Sequence, residues 1–402
     1  MRLVHLSDLH LGFRQYQRQT PAGINQREAD VAASFKRAID KTIELAPDFV
    51  LIGGDVFHSV RPSNPAILHA FTQFARLMHA LPRAGVVMVA GNHDTPRTAE
   101  TGCILRLFTP LGIHVVEGEA RRVEFPEQNV SILVVPDLVT GFPALTPDPH
   151  ARYNMLLLHG EIAGVLPDYM RQVDRATIEI TREQLDAGHW DYVALGHYHV
   201  YREVGTNAYY SGSVDYTSAN PWGELREERA AGINDGLSGG KGLIEHDIVT
   251  CEHRFHQLPV SRPLIDLPAV DATGMTAADL DVAIRGRVDA CPGGIDDKIV
   301  RLIVRDIPRH ITRELDHKAL RDFKRRALHF HFDTRKPEVI RRTASGAPVR
   351  RPSLADTVRE KLEGRVLNDD LDRKALVDLG LKYLHEADVV AATIPILGKV
   401  DE

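Results

Sequence analysis

The chain has 402 residues, of which 43% are hydrophobic and 26% are charged. This length predicts two or more domains, and the composition is typical of a globular protein. No apolar run approaches the ~20 residues that a membrane-spanning helix needs, so we expect no membrane insertion. The cysteines, Cys103, Cys251 and Cys291, are too few and too widely spaced for a disulfide framework, which favours a reducing, cytoplasmic location.

The net charge of −6 is unevenly distributed along the chain. Residues 298–351 contain 16 Lys and Arg against 6 Asp and Glu, so the rest of the chain is strongly acidic. Such asymmetry indicates an anionic partner on one part of the molecule. A basic helix that is simply solvated is an equally weighted alternative.

Up to about residue 260, short apolar runs alternate with helical patterns. The predicted strands are Leu3–Leu6, Phe49–Ile52, Val86–Ala90, Ile132–Val135, Met155–Leu158, Tyr192–Leu195 and Ala208–Tyr210. Two amphipathic segments, Ala29–Leu45 and Pro65–Leu81, lie between the first three strands and predict helices. Strands that alternate with helices predict a layered α/β domain. Residues 213–241 predict a flexible loop, because their glycine-rich end matches a phosphate-binding loop only loosely.

A second unit is predicted from Arg262 onwards, with a strand at Ile299–Arg305, a helix at Thr312–Ala327 and a strand at Leu328–Phe332. The basic residues Lys318, Arg321, Lys324 and Arg325 fall on the outward side of this helix. Two short helices follow; the first runs from Ser353 to Gly364, and the second carries Leu371, Ala375, Leu379 and Tyr383. We therefore predict a catalytic domain at 1–258, a small α+β capping domain at 262–335, a linker at 336–352 and a C-terminal helical segment at 353–402.

Five short polar motifs come just after predicted strands and supply candidate metal ligands. They are Asp8-x-His10, Gly54-Asp55, Gly91-Asn92-His93-Asp94, His159-Gly160 and Gly196-His197-x-His199. Open α/β sheets bind ligands outside the carboxyl ends of their strands, so we expect the motifs to converge. Their oxygen and imidazole donors suit manganese, iron or zinc rather than a thiolate metal site.

The spacing of the ligands predicts a centre for two metal ions. Asp8/His10 and His197/His199 are pairs two residues apart, and in extended backbone both members of such a pair point the same way. Asp55 stands alone, as a carboxylate that bridges two ions would. Two ions ~3.5–4 Å apart can hold a phosphate and lower the pKa of a bridging water. Each motif alone has an ordinary explanation, such as a turn or a buried core histidine, but the ordered set favours a metal centre.

The set resembles the calcineurin-like metallophosphoesterase superfamily and, within it, the SbcD-type nuclease subunits of bacteria and their archaeal and eukaryotic counterparts. The stretches that carry this resemblance are LSDLHLG (6–12), GGDVFHSVRPS (53–63), DYVALGHYH (191–199) and YSGS (210–213). The resemblance is dense over residues 1–215. It implies a four-layer α/β/β/α sandwich with a small α+β capping domain and C-terminal helices.

The resemblance also implies a role for each site residue. One metal would be bound by Asp8, His10, Asp55 and His199, and the other by Asp55, Asn92, His159 and His197. His93 would lie near the leaving oxygen as a proton donor, and His58 would orient the phosphate. Arg14, Tyr16, Arg61 and Arg97 are candidate contacts to the DNA backbone, for which ordinary solvated side chains are the alternative.

The activity that the resemblance implies is that of a manganese-dependent DNA nuclease, a 3′→5′ double-strand exonuclease and single-strand endonuclease. It would process double-strand breaks or hairpins with two Mn²⁺, for which Mg²⁺, Fe²⁺ or Zn²⁺ are alternatives. Its partners would be an SbcC-type ATPase and a second copy of the chain. The segments at 65–81 and 98–107 have enough apolar surface for an interface between copies, with ordinary packing on the sheet as the alternative. The alternatives are a phosphodiesterase of the same superfamily that acts on a small substrate, and a scaffold with a vestigial site.

Overall fold

The computed structural model describes residues 1–96, 102–137, 141–165, 176, 178–234, 239–337, 341–342, 348–349, 354–363 and 372–393. Two compact units make up the chain. The first comprises Met1–Pro268, Ala283–Leu302 and Asp316–Asp333, and the second comprises Ala269–Val282, Ile303–Leu315 and Thr334–Glu402. The domain boundaries expected from the sequence stay a prediction.

The strands, in chain order, are β1 (Arg2–Leu6), β2 (Phe49–Ile52), β3 (Gly85–Val89), β4 (His114–Val116), β5 (Arg121–Phe125), β6 (Val130–Val135), β7 (Tyr153–His159), β8 (Glu161–Ile162), β9 (Glu179–Ile180), β10 (Tyr192–Gly196), β11 (Arg202–Gly205), β12 (Ala208–Tyr210), β13 (Gly242–Asp247), β14 (His253–Gln257), β15 (Leu264–Asp271), β16 (Ile299–Arg305), β17 (His329–Thr334), β18 (Arg341–Arg342) and β19 (Pro348–Val349). The helices are α1 (Gln26–Leu45), α2 (Asn64–Ala80), α3 (Arg182–Leu185), α4 (Pro221–Ala230), α5 (Ala277–Asp289), α6 (Arg309–Glu314), α7 (His317–Arg326), α8 (Leu354–Glu363) and α9 (Arg373–Thr393), with 3-10 helices at Ile104–Leu111 and Ala187–His189.

Two six-stranded sheets form the body of the first unit, in the orders β14-β13-β1-β2-β3-β4 and β11-β12-β10-β7-β6-β5. Strands β1 to β4 run parallel, as do β6, β7, β10 and β12. Antiparallel pairing adds β13 and then β14 beside β1 in the first sheet, and β5 and β11 at the two edges of the second. In such parallel sets, functional side chains are expected just after the carboxyl ends of the strands. The strands that matter here are β1, β2, β3, β7 and β10.

Both faces of each sheet are buried, which explains the nearly continuous apolar strands. Side chains alternate between faces. Leu51 and Val87 of the first sheet share one cluster with Leu157 and Ala194 of the second. The opposite face of the first sheet packs on α1 and α2, and that of the second packs on the segment that includes Ile178 to Trp190. The predicted α/β/β/α sandwich is therefore confirmed, and all seven predicted strands are present.

Two expectations for local structure were wrong. Residues 213–241 are not simply a loop, because α4 lies within them, capped by Asn220 and opened by Pro221. This helix buries Glu224 and Glu228 rather than an apolar row, so its sequence lacks the usual periodic signal. The single helix expected at 312–327 is instead α6 and α7, because Asp316 accepts hydrogen bonds from Lys318 N and Ala319 N and starts a new helix.

The C-terminal helices pack side by side in the second unit. Gly380 of α9 lies so close to Leu362 of α8 that a Cβ atom at position 380 would clash with it. Helix α9 has 21 residues and is longer than expected. Its Val377 is buried, but Leu379 and Tyr383 are 47% and 62% exposed. The expected boundary residues Ser353 and Gly364, and Leu371 of the apolar row, lie outside the described residues.

Candidate metal centre

The candidate ligands come from both sheets of the first unit. Asp8 and His10 follow β1, Asp55 follows β2, and Asn92 follows β3. His159 is the last residue of β7, and His197 and His199 follow β10. The structure brings together all seven residues predicted as ligands, and their role as ligands stays a prediction.

The loops after β1 and β2 are joined by backbone hydrogen bonds, from Asp8 N to Gly54 O (3.0 Å) and from His10 N to Asp55 O (2.9 Å). Four of the predicted ligands adopt left-handed backbone, with φ of 54° at Asp8, 45° at His10, 49° at Asp55 and 104° at His197. Such conformations are unfavourable for residues other than glycine and are typical of functional sites. The fold thus holds four of the candidate ligands in backbone conformations that cost free energy.

Glycines allow the ligand loops to approach one another. A Cβ atom at Gly54 (φ 93°) would lie 2.5 Å from His159 Nδ1, and one at Gly91 would collide with the Asp55 side chain. No larger residue fits at either position without displacing a candidate ligand.

The first ligand group consists of Asp8, His10 and His199, which are all buried and whose donor atoms lie within 4.8 Å of one another. His10 Nε2 lies 3.0 Å from His199 Nε2, and His199 Nε2 lies 3.9 Å from Asp8 Oδ1. Two imidazoles and a carboxylate that face one another at these distances suit a divalent cation with nitrogen and oxygen ligands.

The second ligand group consists of Asp55, His159 and His197, again buried and within 4.8 Å of one another. Asn92 completes it, because its Oδ1 lies 3.0 Å from His159 Nε2 and 3.3 Å from His197 Nδ1. His159 Nδ1 donates a hydrogen bond to Gly53 O at 2.7 Å, which leaves Nε2 to face the group. This hydrogen bond fixes the tautomer that a metal ligand requires.

Asp55 lies between the two groups. Its Oδ2 is 3.8 Å from His10 Nε2 and 3.5 Å from His159 Nε2. Its other oxygen, Oδ1, accepts a hydrogen bond from His93 N at 2.9 Å. Within the described part of the chain, Oδ2 is buried and has no hydrogen-bond partner. A buried carboxylate oxygen without a partner is rare, and a cation shared by the two groups would satisfy it.

The electrostatics of the site act differently on its side chains. The pKa of His199 is raised, because burial, which would lower it, is outweighed by the carboxylate of Glu224. Burial, followed by the repulsion of His199 and other nearby imidazoles, lowers the pKa of His10 well below its ordinary value. Burial raises the pKa of Asp55, and the charge on Asp8 adds to this rise, although His159 and His93 oppose it. A bound cation would reverse the cost of the negative charge on Asp55, because it supplies the missing positive charge.

His93 and His58 lie beside the first group. His93 Nδ1 donates a hydrogen bond to His58 O at 2.8 Å. The His93 and His58 rings stack with centroids 5.2 Å apart, and the edge of His93 meets the His10 ring at 4.8 Å. His58 Nδ1 lies 3.3 Å from His10 Nδ1. The structure therefore places both predicted catalytic residues next to the predicted ligands.

The candidate DNA contacts have varied surroundings. The exposed Arg14 pairs with Glu28 at 2.7 Å, and Arg61 is exposed. Tyr16 stacks on His329, with ring centroids 4.1 Å apart, so its ring contacts protein. Arg97 lies outside the described residues. A role in DNA binding stays a prediction for each of the four.

Three buried carboxylates of the site were missed by the sequence reasoning. Asp94 accepts hydrogen bonds from Val56 N (3.1 Å), Phe57 N (3.0 Å) and Gly91 N (3.1 Å), so it joins the loops after β2 and β3. Glu161 lies 3.3 Å from His197, and Glu224 lies 3.6 Å from His199. Asp94 lies within a predicted motif but was given no role, and Glu161 directly follows another motif, which is a weak signal, whereas nothing in the sequence marks Glu224.

Comparison with known proteins agrees with this architecture. Residues 1–201 match the model of the calcineurin-like phosphoesterase family. A DNA double-strand break repair protein Mre11 of Methanococcus maripaludis is 38% identical over 267 residues, 62% of this chain and 63% of the relative. Proteins of the same name from Methanocaldococcus jannaschii and Methanosarcina mazei are 28% identical over 240 residues (57% of this chain, 60% of the relative) and 23% identical over 365 residues (80% and 55%). The chain thus spans about six tenths of the length of these relatives. It belongs to the calcineurin-like phosphoesterase family.

Proposed function

We propose that this chain is a two-metal nuclease that hydrolyses the phosphodiester bonds of DNA. The observation that carries the proposal is the position of Asp55 Oδ2 between two buried ligand groups. One buried oxygen that faces two sets of nitrogen and oxygen donors suits a pair of ions rather than a single ion. The donor set contains no thiolate, and it suits two Mn²⁺, with Mg²⁺, Fe²⁺ or Zn²⁺ as alternatives.

The protein's own residues would divide the remaining chemistry. When bound, the ions would supply a polarised phosphate and a water acidic enough to attack it at neutral pH. His93 commits Nδ1 to His58 O, so its Nε2 is the atom that exchanges a proton with the leaving oxygen. His58 is held against His10 and His93, where it would orient the phosphate.

DNA as the substrate is supported by an exposed basic face on α7, which we define as Lys318, Arg321 and Lys324. Other basic residues nearby are already paired, since Arg301 binds Asp266 (2.7 Å) and Arg326 binds Asp296 (2.9 Å). The basic face is therefore one part of this stretch that is exposed to phosphates, and DNA binding needs such a face rather than a positive total charge. The relatives are named DNA double-strand break repair proteins, which also favours DNA as the substrate. We place the basic face in the proposed capping domain at 262–335.

The proposed partners are a second copy of the chain and an SbcC-type ATPase. Leu68 of α2 is 69% exposed and Leu107 of the nearby 3-10 helix is 39% exposed, which supports a dimer interface there. Residues 98–101 of the expected interface lie outside the described part of the chain. Leu379 and Tyr383 on α9 would bind the ATPase.

No helix among the described residues is long and apolar enough to cross a membrane. The cysteines are free, which fits a reducing cytoplasm.

The proposal is tested by comparing substrates of different size. Purified protein with Mn²⁺ is incubated with end-labelled duplex and hairpin DNA and, separately, with bis-p-nitrophenyl phosphate. A DNA nuclease cleaves both DNAs with a much higher kcat/KM than the chromogenic ester, and a chelator abolishes both activities. Efficient cleavage of the ester without cleavage of DNA would establish the small-substrate alternative. Binding of metal without cleavage of either substrate would establish the scaffold.

A further inference from the structure

The paired histidines His197 and His199 each face a buried glutamate on the side away from the ligand groups. His197 Nε2 lies 3.3 Å from Glu161 Oε1, and His199 Nδ1 lies 3.6 Å from Glu224 Oε1. The side chains of Glu161 and Glu224 are 4% and 0% exposed. Neither glutamate belongs to the predicted ligand set, so each requires another explanation for its burial.

The two histidines are oriented in opposite senses. His197 presents Nδ1 to Asn92 of the second group and Nε2 to Glu161. His199 presents Nε2 to His10 and Asp8 of the first group and Nδ1 to Glu224. Glu161 therefore contacts a histidine of the second ligand group, and Glu224 contacts a histidine of the first.

Glu224 is itself fixed by a buried lysine. Lys241 Nζ forms an ion pair with Glu224 and another with Glu228 at 3.1 Å. The same Nζ donates a hydrogen bond to His199 O at 2.8 Å. Lys241 thus contacts His199 through its backbone and through Glu224. It is fully buried and cannot serve as the exposed lysine of a phosphate-binding loop.

Glu161 is held by a different part of the fold. It starts β8, which pairs with β9 in parallel, and its Oε1 accepts a hydrogen bond from Ala176 N at 3.3 Å. The supports of the two glutamates come from separate segments, so a change in one need not disturb the other.

A carboxylate behind a metal-bound histidine fixes its tautomer and ring orientation and makes the coordinating nitrogen more basic. Loss of such a partner typically weakens metal binding by about 10–100-fold. We propose that Glu224, held by Lys241, and Glu161 are positioning residues that set the metal affinity of the first and second groups independently. This inference rests on the proposed two-metal centre.

The test uses two single-site backgrounds. Asn92→Ala removes a ligand of the second group only, and His10→Ala removes a ligand of the first group only. Glu224→Gln and Glu161→Gln, which preserve side-chain size and an acceptor oxygen but remove the charge, are introduced into each. Mn²⁺ affinity is measured by calorimetry, and thermal unfolding in chelator checks that each variant folds. The two substitutions serve as matched controls for each other.

We expect Glu224→Gln to weaken Mn²⁺ binding by about 10–100-fold in the Asn92→Ala background. Glu161→Gln should leave that affinity unchanged, and the pattern should reverse in the His10→Ala background. If Glu224→Gln unfolds because Lys241 loses a partner, the triple variant with Lys241→Met and Glu228→Gln replaces it, since it leaves neither a buried lysine nor a buried glutamate unpaired. Equal effects of the two substitutions in both backgrounds, or no effect, would overturn the independent control. The two-metal centre itself would be contradicted if the Asn92→Ala or the His10→Ala variant bound no Mn²⁺ ion, or bound two.

Discussion

Asp55→Asn is the perturbation that separates the stability of the empty site from its affinity for metal. Asparagine keeps an oxygen that can accept the hydrogen bond from His93 N, but it removes the buried negative charge. Burial raises the pKa of Asp55, so in the metal-free protein the charged form costs folding free energy as the pH rises above the carboxyl's ordinary range. We therefore expect the metal-free variant at neutral pH to be at least as stable as the parent.

With Mn²⁺ present, the order should reverse. One site filled at 100 times its dissociation constant adds about 2.7 kcal/mol to the free energy of unfolding, so two filled sites add roughly 5 kcal/mol. With an unfolding entropy of about 2.1 cal/mol/K per residue in a chain of this length, this corresponds to a rise in Tm of roughly 6–10 °C for the parent. The variant should show almost no rise, because Asp55 serves both groups. The assay is thermal unfolding followed by circular dichroism, with chelator and with Mn²⁺.

Asp186→Asn is the matched control for this experiment. Asp186 also has left-handed backbone, with φ of 45° against 49° at Asp55, but its side chain is 56% exposed and contacts His189. The control should behave as the parent with and without Mn²⁺. The reasoning would be refuted if Asp55→Asn kept the full Mn²⁺-dependent rise in Tm. A clear loss of stability in the metal-free variant would contradict the cost assigned to the buried charge.

Three further predictions address the catalytic residue, the DNA surface and the tail. His93→Ala should keep two ions per chain while turnover falls by roughly 10²–10⁴, the range for a lost general acid; loss of metal would instead make His93 a ligand. Reversal of charge across the basic face of α7 should weaken DNA binding and reduce its salt dependence, while cleavage of the chromogenic ester stays unchanged. As a control, reversal of charge at Lys36 and Lys41 on α1 should leave both DNA binding and ester cleavage unchanged. Truncation after Arg351 should leave a folded nuclease that no longer co-purifies with the ATPase, and unfolding of the truncated chain would assign the tail to the catalytic core.

The sequence predicts the central strands because they are buried on both faces and contain few polar residues. Strand β14 is half-polar and pairs with the adjacent β13, as where Leu243 pairs with His256. Strand β13 in turn joins the sheet by pairing with β1, which lies far away in the chain. Helix α4 was not predicted, because the charged residues that it buries depend on a partner from a later segment. Its buried face includes the charged residues Glu224 and Glu228, and Lys241, which pairs with both, comes from a later segment.

The candidate site, too, could be predicted from local sequence only in part, because some of its contacts come from distant segments. The types of residue and their places after strands predict which side chains converge, since parallel strands bring their carboxyl ends together. The nitrogen that each imidazole presents depends on the partner of its other nitrogen, which comes from elsewhere in the chain. His159 turns Nε2 to the site because Gly53 O accepts from Nδ1. No spacing rule predicts that contact or the glutamates behind His197 and His199.

The central claim is that Asp55 bridges two ions. Anomalous diffraction at the manganese absorption edge, from crystals grown with Mn²⁺, tests it most directly. The account predicts two anomalous peaks ~3.5–4 Å apart. One should be coordinated by Asp8, His10 and His199 and the other by Asn92, His159 and His197, with Asp55 touching both. A single peak, or two peaks of which only one contacts Asp55, would contradict the account.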